Sequence, residues 1–155
     1  MAGVVRRARH RMATAKLVLR AHQARECEKW EQAAVLFTEL AAAHASGLGA
    51  DDTKTLRARA DAAFTTGQSG EVDDALILYG PIVGDLARHL GAEHPETLLA
   101  RQNRAELLDA VGESDRAEAE LADVCAARAR ALSEDHPDTL HGLAALALIV
   151  GGRRP

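Results

Sequence analysis

The sequence predicts an all-α protein made of repeated helical hairpins, and three observations support this prediction. Apolar residues make up 47% of the 155 positions but aromatic residues only 3%, so Ala and Leu, both good helix formers, supply most of the apolar content. A pattern of residues recurs every 42 positions without a gap. Within each period, apolar residues follow the i, i+4, i+7 spacing of one helix face. Stacked helical hairpins that share one apolar seam account for all three observations.

The repeat is clearest in a short motif that opens each period. The segment from Asp51 to Leu56 recurs as Glu93 to Leu98 and again as Asp135 to Leu140, and every copy ends in Thr-Leu. The same spacing relates small and large apolar positions in all three copies, among them Ala21, Ala63 and Ala105; Ala33, Ala75 and Ala117; and Phe37, Tyr79 and Leu121. So many matches at one spacing indicate a structural repeat.

The first helix of each pair ends at a position suited to glycine. Gly70 and Gly112 are equivalent in the repeat, while Glu28 takes this position in the first copy. Glycine favours the end of a helix, and Ser114 is predicted to cap the helix that follows Gly112. Seven helices result, near residues 5–28, 30–47, 53–67, 71–90, 95–111, 114–132 and 137–150. Pro81 lies inside the fourth of these and predicts a kink there.

Asp52, His94 and His136 precede the third, fifth and seventh helices, and we interpret them as N-caps. Proline follows both histidines, and proline favours the first turn of a helix. The alternative is a metal site, but equivalent residues on successive repeats lie too far apart to share one ion, and an aspartate stands at this position in the first copy. No metal or other cofactor is therefore predicted.

The chain resembles tetratricopeptide repeats (TPRs). The residues that carry the resemblance are the spaced small and large positions Ala105, Leu108, Gly112, Ala117, Leu121 and Val124. The 42-residue period with a His-Pro-acid-Thr-Leu opening is similar to the long subclass found in kinesin light chains and in many bacterial signalling proteins. Arg59, Arg101 and Arg104 depart from the pattern, because the family usually places large apolar residues there.

The resemblance implies a right-handed α-solenoid of stacked hairpins that forms a single domain over residues 1–155. Its repeats span about residues 13–52, 53–94 and 95–136, followed by an unpaired half-repeat at 137–150 and a tail at 151–155. In TPR arrays the first helix of each pair lines a concave groove that holds a peptide or helix of another protein. By register, the predicted groove residues are Arg57, Asp61, Phe64, Leu99, Gln102, Asn103 and Glu106. Asn103 matches an asparagine that is frequent in the long subclass, where its amide can pair with the backbone of a ligand. The equal alternative is that Asn103 is an ordinary solvated helix residue.

The last helix is apolar on almost all sides, unlike the polar end that a terminal repeat needs. Either the chain is a fragment of a longer solenoid or this helix docks on a partner. We therefore predict self-association, for example as a homodimer, through Leu143, Leu146, Ile149 and Val150. Such a structural oligomerisation unit is the alternative to the leading hypothesis, a protein-interaction scaffold that acts as a bacterial signalling adaptor.

The remaining features argue against other functions. No serine lies in a G-x-S-x-G setting and no phosphate-binding glycine loop is present, so an enzyme is not expected. Cys27 and Cys125 are interpreted as small buried residues of a protein in the reducing cytoplasm. The apolar run from Leu143 to Val150 is too short to span a membrane. Residues 1–25 carry seven Lys or Arg and no acidic residue. Binding of nucleic acid by this region, around Arg6 to Arg11, is the least favoured hypothesis, because no aromatic residues are interleaved for base stacking.

Overall fold

The computed structural model describes the backbone of residues 2–152, and the side chains of residue 8 and of residues 11–152. Within this range the chain forms helices joined by short turns, with no strand. The helices are α1 (Ala2–Glu26), α2 (Trp30–Leu48), α3 (Thr53–Gln68), α4 (Val72–Leu90), α5 (Pro95–Ala110), α6 (Ser114–Ala131) and α7 (Pro137–Gly151). Each lies within one helical turn of its predicted bounds. Helix α4 continues through Pro81 without a break in its assignment.

The chain divides into two compact units, Met1–Asp85 and Leu86–Pro155. In the first unit, α1, α2 and α3 pack in sequence around a core in which Phe37 is fully buried. The edge of the His22 ring meets Phe37 at a centroid distance of 5.3 Å, and the Arg25 guanidinium lies 5.6 Å from the same ring. Alanines such as Ala21 and Ala33, both without exposed surface, let these helices approach closely.

In the second unit, α5, α6 and α7 pack around the repeat positions that the sequence singled out. Ala105, Ala117, Leu121 and Val124 are fully buried, and Leu108 is nearly so. These side chains form a continuous apolar seam between the helices. Burial of a Leu or Val side chain contributes about 1.5–3 kcal/mol, so this seam is the main source of the unit's stability.

The turns require positive φ at two positions of the repeat. The first position is occupied by Glu28, Gly70 and Gly112, with φ of 54°, 98° and 84°. The second lies at residues 49, 91 and 133, where Gly49 and Gly91 have φ of 109° and 108° and Ser133 has φ of 141°. Glycine accepts these conformations without strain, whereas Glu28 and Ser133 hold them at a cost.

The predicted N-caps are confirmed. Asp52 Oδ1 accepts a hydrogen bond from the Lys54 backbone N–H at 2.9 Å. His94 Nδ1 accepts from Glu96 N–H at 3.2 Å, and His136 Nδ1 accepts from Asp138 N–H at 3.1 Å. The prediction for Ser114 is wrong: Ser114 is the first residue of α6, and its hydroxyl donates to Asp109 Oδ1 at 2.6 Å instead of capping the helix.

The invariant threonine of the motif closes the turn before each odd-numbered helix from α3 onwards. Thr55 Oγ1 donates to the Gly49 carbonyl at 2.8 Å, Thr97 Oγ1 to the Gly91 carbonyl at 2.8 Å, and Thr139 Oγ1 to the Ser133 carbonyl at 2.9 Å. All three threonines are buried. The bond satisfies a carbonyl of the turn and fixes how the chain enters the next helix.

The arginines that depart from the repeat pattern form ion pairs between helices. Arg59 Nη1 lies 2.8 Å from Asp85 Oδ2. Arg104 Nη2 and Arg101 Nε lie 2.6 and 3.3 Å from Glu120 Oε1. An arginine can bury its aliphatic stem while its charged end meets a carboxylate. This pairing explains how the fold accommodates charge where the pattern usually has a large apolar residue.

Candidate functional site

A cleft of about 370 Å³ lies between α5 and α7 in the second unit. Helix α5 contributes acidic side chains on one side, and α7 contributes an imidazole and small or aliphatic side chains on the other. The lining residues are Glu106, Asp109, His141, Ala144, Ala145, Leu148 and Ile149. An apolar floor with a few polar groups at its rim is the usual composition of a binding site.

The carboxylates at the rim accept hydrogen bonds from neutral side chains. Glu106 Oε1 accepts from Gln102 Nε2 at 2.8 Å, and Asp109 Oδ1 accepts from the Ser114 hydroxyl at 2.6 Å. Among the described residues, neither carboxylate forms an ion pair with Lys or Arg. Glu106 and Asp109 are three residues apart on α5, so they lie on the same face of the helix. The charge of Glu106 also acts on the buried cation Arg128, whereas Asp109 forms no ion pair in the part of the chain that the structure describes.

A buried polar cluster formed by residues of α5 and α6 positions helix α7. Arg128 of α6 is buried, and its Nη1 donates to Gln102 Oε1 and, at 2.9 Å, to the Asp138 backbone carbonyl in the first turn of α7. Gly142 sits directly over this cluster. A Cβ at position 142 would lie 3.0 Å from Cys125 Sγ and 3.2 Å from Arg128 Nη1. The absence of a side chain at Gly142 thus lets α7 pack closely on the cluster.

Burial sets the electrostatics of this cluster. It lowers the pKa of Arg128, an effect that the charges of Asp138, Cys125 and Glu106 oppose. An arginine remains protonated in proteins at neutral pH, so Arg128 is a buried cation held by hydrogen bonds. Burial also raises the pKa of the Cys125 thiol, and the positive charge of Arg128 partly offsets that rise.

The exposed side chains of α7 fall on two flanks. One flank lines the cleft and contains His141, Ala144 and Leu148, of which Leu148 is 77% exposed. The other flank, which we call the outer flank, contains Leu140, Leu143, Ala147 and Val150, all exposed. The spacing of three or four residues within each set places its members on one face of the helix.

The structure separates the four residues predicted for self-association. Leu143 and Val150 are exposed on the outer flank, and Leu146 is partly buried. Ile149 is only 6% exposed and belongs to the interior of the unit. The reason is that α7 buries one side against α5 and α6, which the apolar composition of its sequence did not reveal. Ile149 is therefore absent from the outer flank, and its small exposed part lines the cleft.

The predicted groove residues of the first unit lie on α3. Arg57 is exposed, and Asp61 pairs with Arg25 at 3.1 Å. Phe64 meets Trp30 edge to face at a centroid distance of 6.3 Å. Asp61 and Phe64 thus contribute to packing between helices of this unit as well as to its surface.

The predicted groove residues of the second unit lie on α5 and differ in accessibility. Leu99 and Glu106 are exposed, and Asn103 is partly buried. Gln102 is 1% exposed, and its carboxamide is bound to Arg128 and Glu106. The prediction that Gln102 belongs to a partner-binding surface is wrong, because its side chain is buried and its oxygen accepts a hydrogen bond from Arg128.

Asp109, His141 and Leu148 line the cleft and were missed by sequence reasoning. Asp109 follows Glu106 by one helical turn, a spacing that identifies it as a neighbour on the same face. His141 and Leu148 are likewise separated by two turns of α7. The sequence thus indicates which residues share a face of α5 and which share a face of α7. It does not indicate that these two faces lie opposite each other, because that depends on how the helices pack.

Helix α1 of the first unit carries several exposed cationic side chains. Arg11, Lys16 and Arg20 are exposed, and so are Met12 and Leu19. The side chains of Arg6, Arg7, Arg9 and His10, on which the nucleic-acid hypothesis also rested, lie outside the described residues. Cys27 is exposed, contrary to the prediction that it is buried, because it follows the end of α1; Cys125 is buried as predicted.

No group of three or more potential metal-binding side chains occurs in the part of the chain that the structure describes. None of the helices described there is long and apolar enough to cross a lipid bilayer.

The comparisons with known proteins give the class first. No protein-family model matches the chain, and no curated protein does. Among solved structures the fold is that of TPR-like helical repeat proteins, a class of general protein-interaction scaffolds that are typically not enzymes.

Within this class the chain is similar to kinesin light chain-like proteins. The crystal structure of the nearly identical TPR-like repeats described as those of a Podosopora anserina kinesin light chain superposes with a TM-score of 0.78 at 25% identity, covering 88% of this chain. BtubC (BKLC) from P. vanneervenii superposes with a TM-score of 0.74 at 18% identity, covering 92% of this chain. The chain spans 66% and 58% of the lengths of these two structures. The predicted all-α repeat solenoid and its resemblance to kinesin light chains are confirmed.

Proposed function

We propose that this protein is an interaction module and that the cleft between α5 and α7 binds a segment of a partner protein. The observation that carries the proposal is the composition of the cleft: an apolar floor beside two carboxylates whose hydrogen-bond donors are the neutral side chains of Gln102 and Ser114. We further propose that the protein is an adaptor in bacterial signalling in the cytoplasm, because the long repeat subclass that its sequence resembles is found in many bacterial signalling proteins.

Exposed apolar surface on α7 supports the proposal. Leu148 is 77% exposed at the edge of the cleft, and Ala144 beside it is also exposed. Burial of a leucine side chain contributes about 1.5–3 kcal/mol, so a partner that covers Leu148 gains affinity that this chain alone does not use. Exposed apolar patches with a polar rim commonly mark binding surfaces.

A peptide-library selection against the full chain tests the proposal. We expect the selection to enrich a common motif whose binding Leu148→Glu reduces at least tenfold, since a charge would replace the apolar contact. Ile77→Glu is the matched control, because Ile77 is a similarly exposed aliphatic residue on α4, at 72%. Enrichment of no motif, or equal binding by wild type and Leu148→Glu, would contradict the proposal.

A second candidate function is self-association through the outer flank of α7. Leu140, Leu143 and Val150 are 50%, 42% and 47% exposed and stand on one face. A two-fold contact between two such faces is self-complementary and yields a dimer. Sedimentation equilibrium tests it: Leu143→Glu should convert a dimer into a monomer, and a mass that Leu143→Glu leaves unchanged would exclude this contact.

A further inference from the structure

We propose that the occupant of the α5–α7 cleft is helix α1 of a second copy of this chain, docked head to tail. This inference rests on the proposed function of the cleft as a protein-binding site and names the partner. It uses two surfaces that the structure describes, one on each unit. Their chemistry is complementary in both charge and apolar character.

The first surface is a stripe on α1 that faces away from its core. Met12 and Leu19 are 77% and 69% exposed, although both are large and apolar. Lys16 stands between them, so the three follow the i, i+4, i+7 spacing of a single helix face. The buried residues of this helix, Thr14, Ala21 and Ala24, lie on the opposite side. An amphipathic helix that anchors in a groove presents this spacing.

The charges on the two surfaces are opposite and similarly spaced. Arg11, Lys16 and Arg20 are exposed, and none of them forms an ion pair among the described residues. Lys16 and Arg20 are four residues apart on α1, and Glu106 and Asp109 are three residues apart on α5, so each pair lies on one helix face. The charge of the whole chain is distributed in the same way, because all 23 acidic residues lie beyond residue 25.

The cleft suits the apolar part of the stripe. Its volume of about 370 Å³ is lined by Ala144, Ala145 and Leu148, which together offer an aliphatic floor for Met12 or Leu19. With such a side chain seated there, Lys16 and Arg20 can face the carboxylates at the rim. Each cation would then gain a partner, and the exposed apolar side chains of both surfaces would leave water.

The contact joins two different surfaces, so it is heterologous. A heterologous contact forms chains or rings, and the mass grows with concentration instead of stopping at a dimer. Because the charges involved are near the surface, salt screens their attraction. These two properties separate this contact from the two-fold contact through the outer flank of α7.

Sedimentation equilibrium of the full chain over a range of concentrations tests the inference. We expect the average mass to rise with concentration and to fall as ionic strength is raised. The double variant Glu106→Gln with Asp109→Asn should weaken association about tenfold, since two charge pairs are lost. Glu134→Gln with Asp135→Asn is the matched control: it removes two exposed acidic side chains in the turn before α7 and should change nothing.

Charge reversal provides the sharper arm of the test. Lys16→Glu with Arg20→Glu should abolish association, and so should Glu106→Lys with Asp109→Lys. Mixing the two variants should restore association, with the variants alternating along the chain or ring, which a merely misfolded variant cannot do. Circular dichroism melting checks that each variant remains folded.

The outcomes separate this inference from the proposed function. A wild-type chain that stays monomeric at every concentration, while a library-selected peptide binds in a Leu148-dependent manner, overturns the second-copy partner and leaves the proposed function standing. Association that Leu143→Glu abolishes and the charge variants leave intact overturns the inference in favour of the outer flank. If no library-selected peptide depends on Leu148 for binding but self-association depends on charge, the inference is supported. The cleft then binds only a second copy of this chain.

Discussion

Arg128 Nη1 lies 3.2 Å from the point that a Cβ at position 142 would occupy. Leu86 and Ala100 stand at the equivalent positions one repeat earlier in the sequence, and both are buried. Arg128 thus stands where the preceding repeat has a leucine, and Gly142 stands where it has an alanine. The glycine provides the space that the guanidinium needs, and the guanidinium hydrogen-bonds the start of α7.

Gly142→Ala should lower the free energy of unfolding by about 1 kcal/mol, because the added methyl group meets two buried side chains whose displacement costs more than the helix gains. Gly84→Ala on α4 is the control: nothing lies within 4 Å of its Cβ, so it should stabilise by about 0.5–1 kcal/mol. Urea unfolding measures both. Stabilisation by Gly142→Ala equal to that of the control would contradict the packing described.

Arg128→Leu should rescue Gly142→Ala, because the pair then matches Leu86 and Ala100. We expect the double variant to be more stable than the sum of the single changes by about 1 kcal/mol or more, the usual size of coupling between touching residues. Arg128→Leu alone leaves the Gln102 oxygen and the Asp138 carbonyl without this donor and should be destabilising. Strict additivity in a double-mutant cycle would show that positions 128 and 142 do not interact.

Ser133→Gly should stabilise the protein by about 1 kcal/mol, because φ at Ser133 is 141°, where its equivalents Gly49 and Gly91 are glycine. Ser46→Gly serves as a comparison, since Ser46 lies within α2 and glycine weakens a helix. Thermal unfolding should therefore move in opposite directions for the two variants. A lower Tm for Ser133→Gly would argue against strain at this turn.

Thr139→Val should cost about 1–2 kcal/mol, because the Ser133 carbonyl loses the hydrogen bond that the buried Thr139 hydroxyl donates at 2.9 Å. Thr38→Val removes a similar bond, from Oγ1 to the Ala34 carbonyl at 2.8 Å, on an exposed helix face. The exposed change should stay within about 0.5 kcal/mol. Equal costs in denaturant titrations would mean that burial of the threonine does not matter.

The two thiols should react at very different rates. Cys27 is exposed, whereas Cys125 is buried and burial raises the pKa of its thiol. Since the thiolate is the reactive form, an alkylating reagent at neutral pH should modify one thiol per native chain, and the second only after unfolding. Mass spectrometry of the digested protein identifies the site. Rapid modification of both in the native protein would show that the α6–α7 packing opens easily.

Features encoded over a few residues were predictable from the sequence. The helix bounds follow from apolar spacing and turn residues, and the caps at Asp52, His94 and His136 follow from their place before a helix. The strain at Ser133 was also visible in principle, because its repeat equivalents are glycines.

The site was less predictable because it depends on contacts between helices. Register predicts that Gln102 lies in the groove, but its buried carboxamide is hydrogen-bonded to Arg128, and nothing near Gln102 in sequence signals this. Ile149 was placed on the surface because α7 is apolar on most sides, and only its packing on α5 and α6 decides which side is buried. Leu148 and Asp109 form one cleft only after these helices pack.

The most direct test of the account is to map the binding surface of a library-selected peptide by amide chemical shifts of the full chain. We expect the largest changes on the cleft-facing residues of α5 and α7, from Glu106 to Asp109 and from His141 to Leu148, with loss of those changes in Leu148→Glu. Changes confined to the exposed face of α6, or none on α5 and α7, would contradict the assignment of the cleft as the binding site.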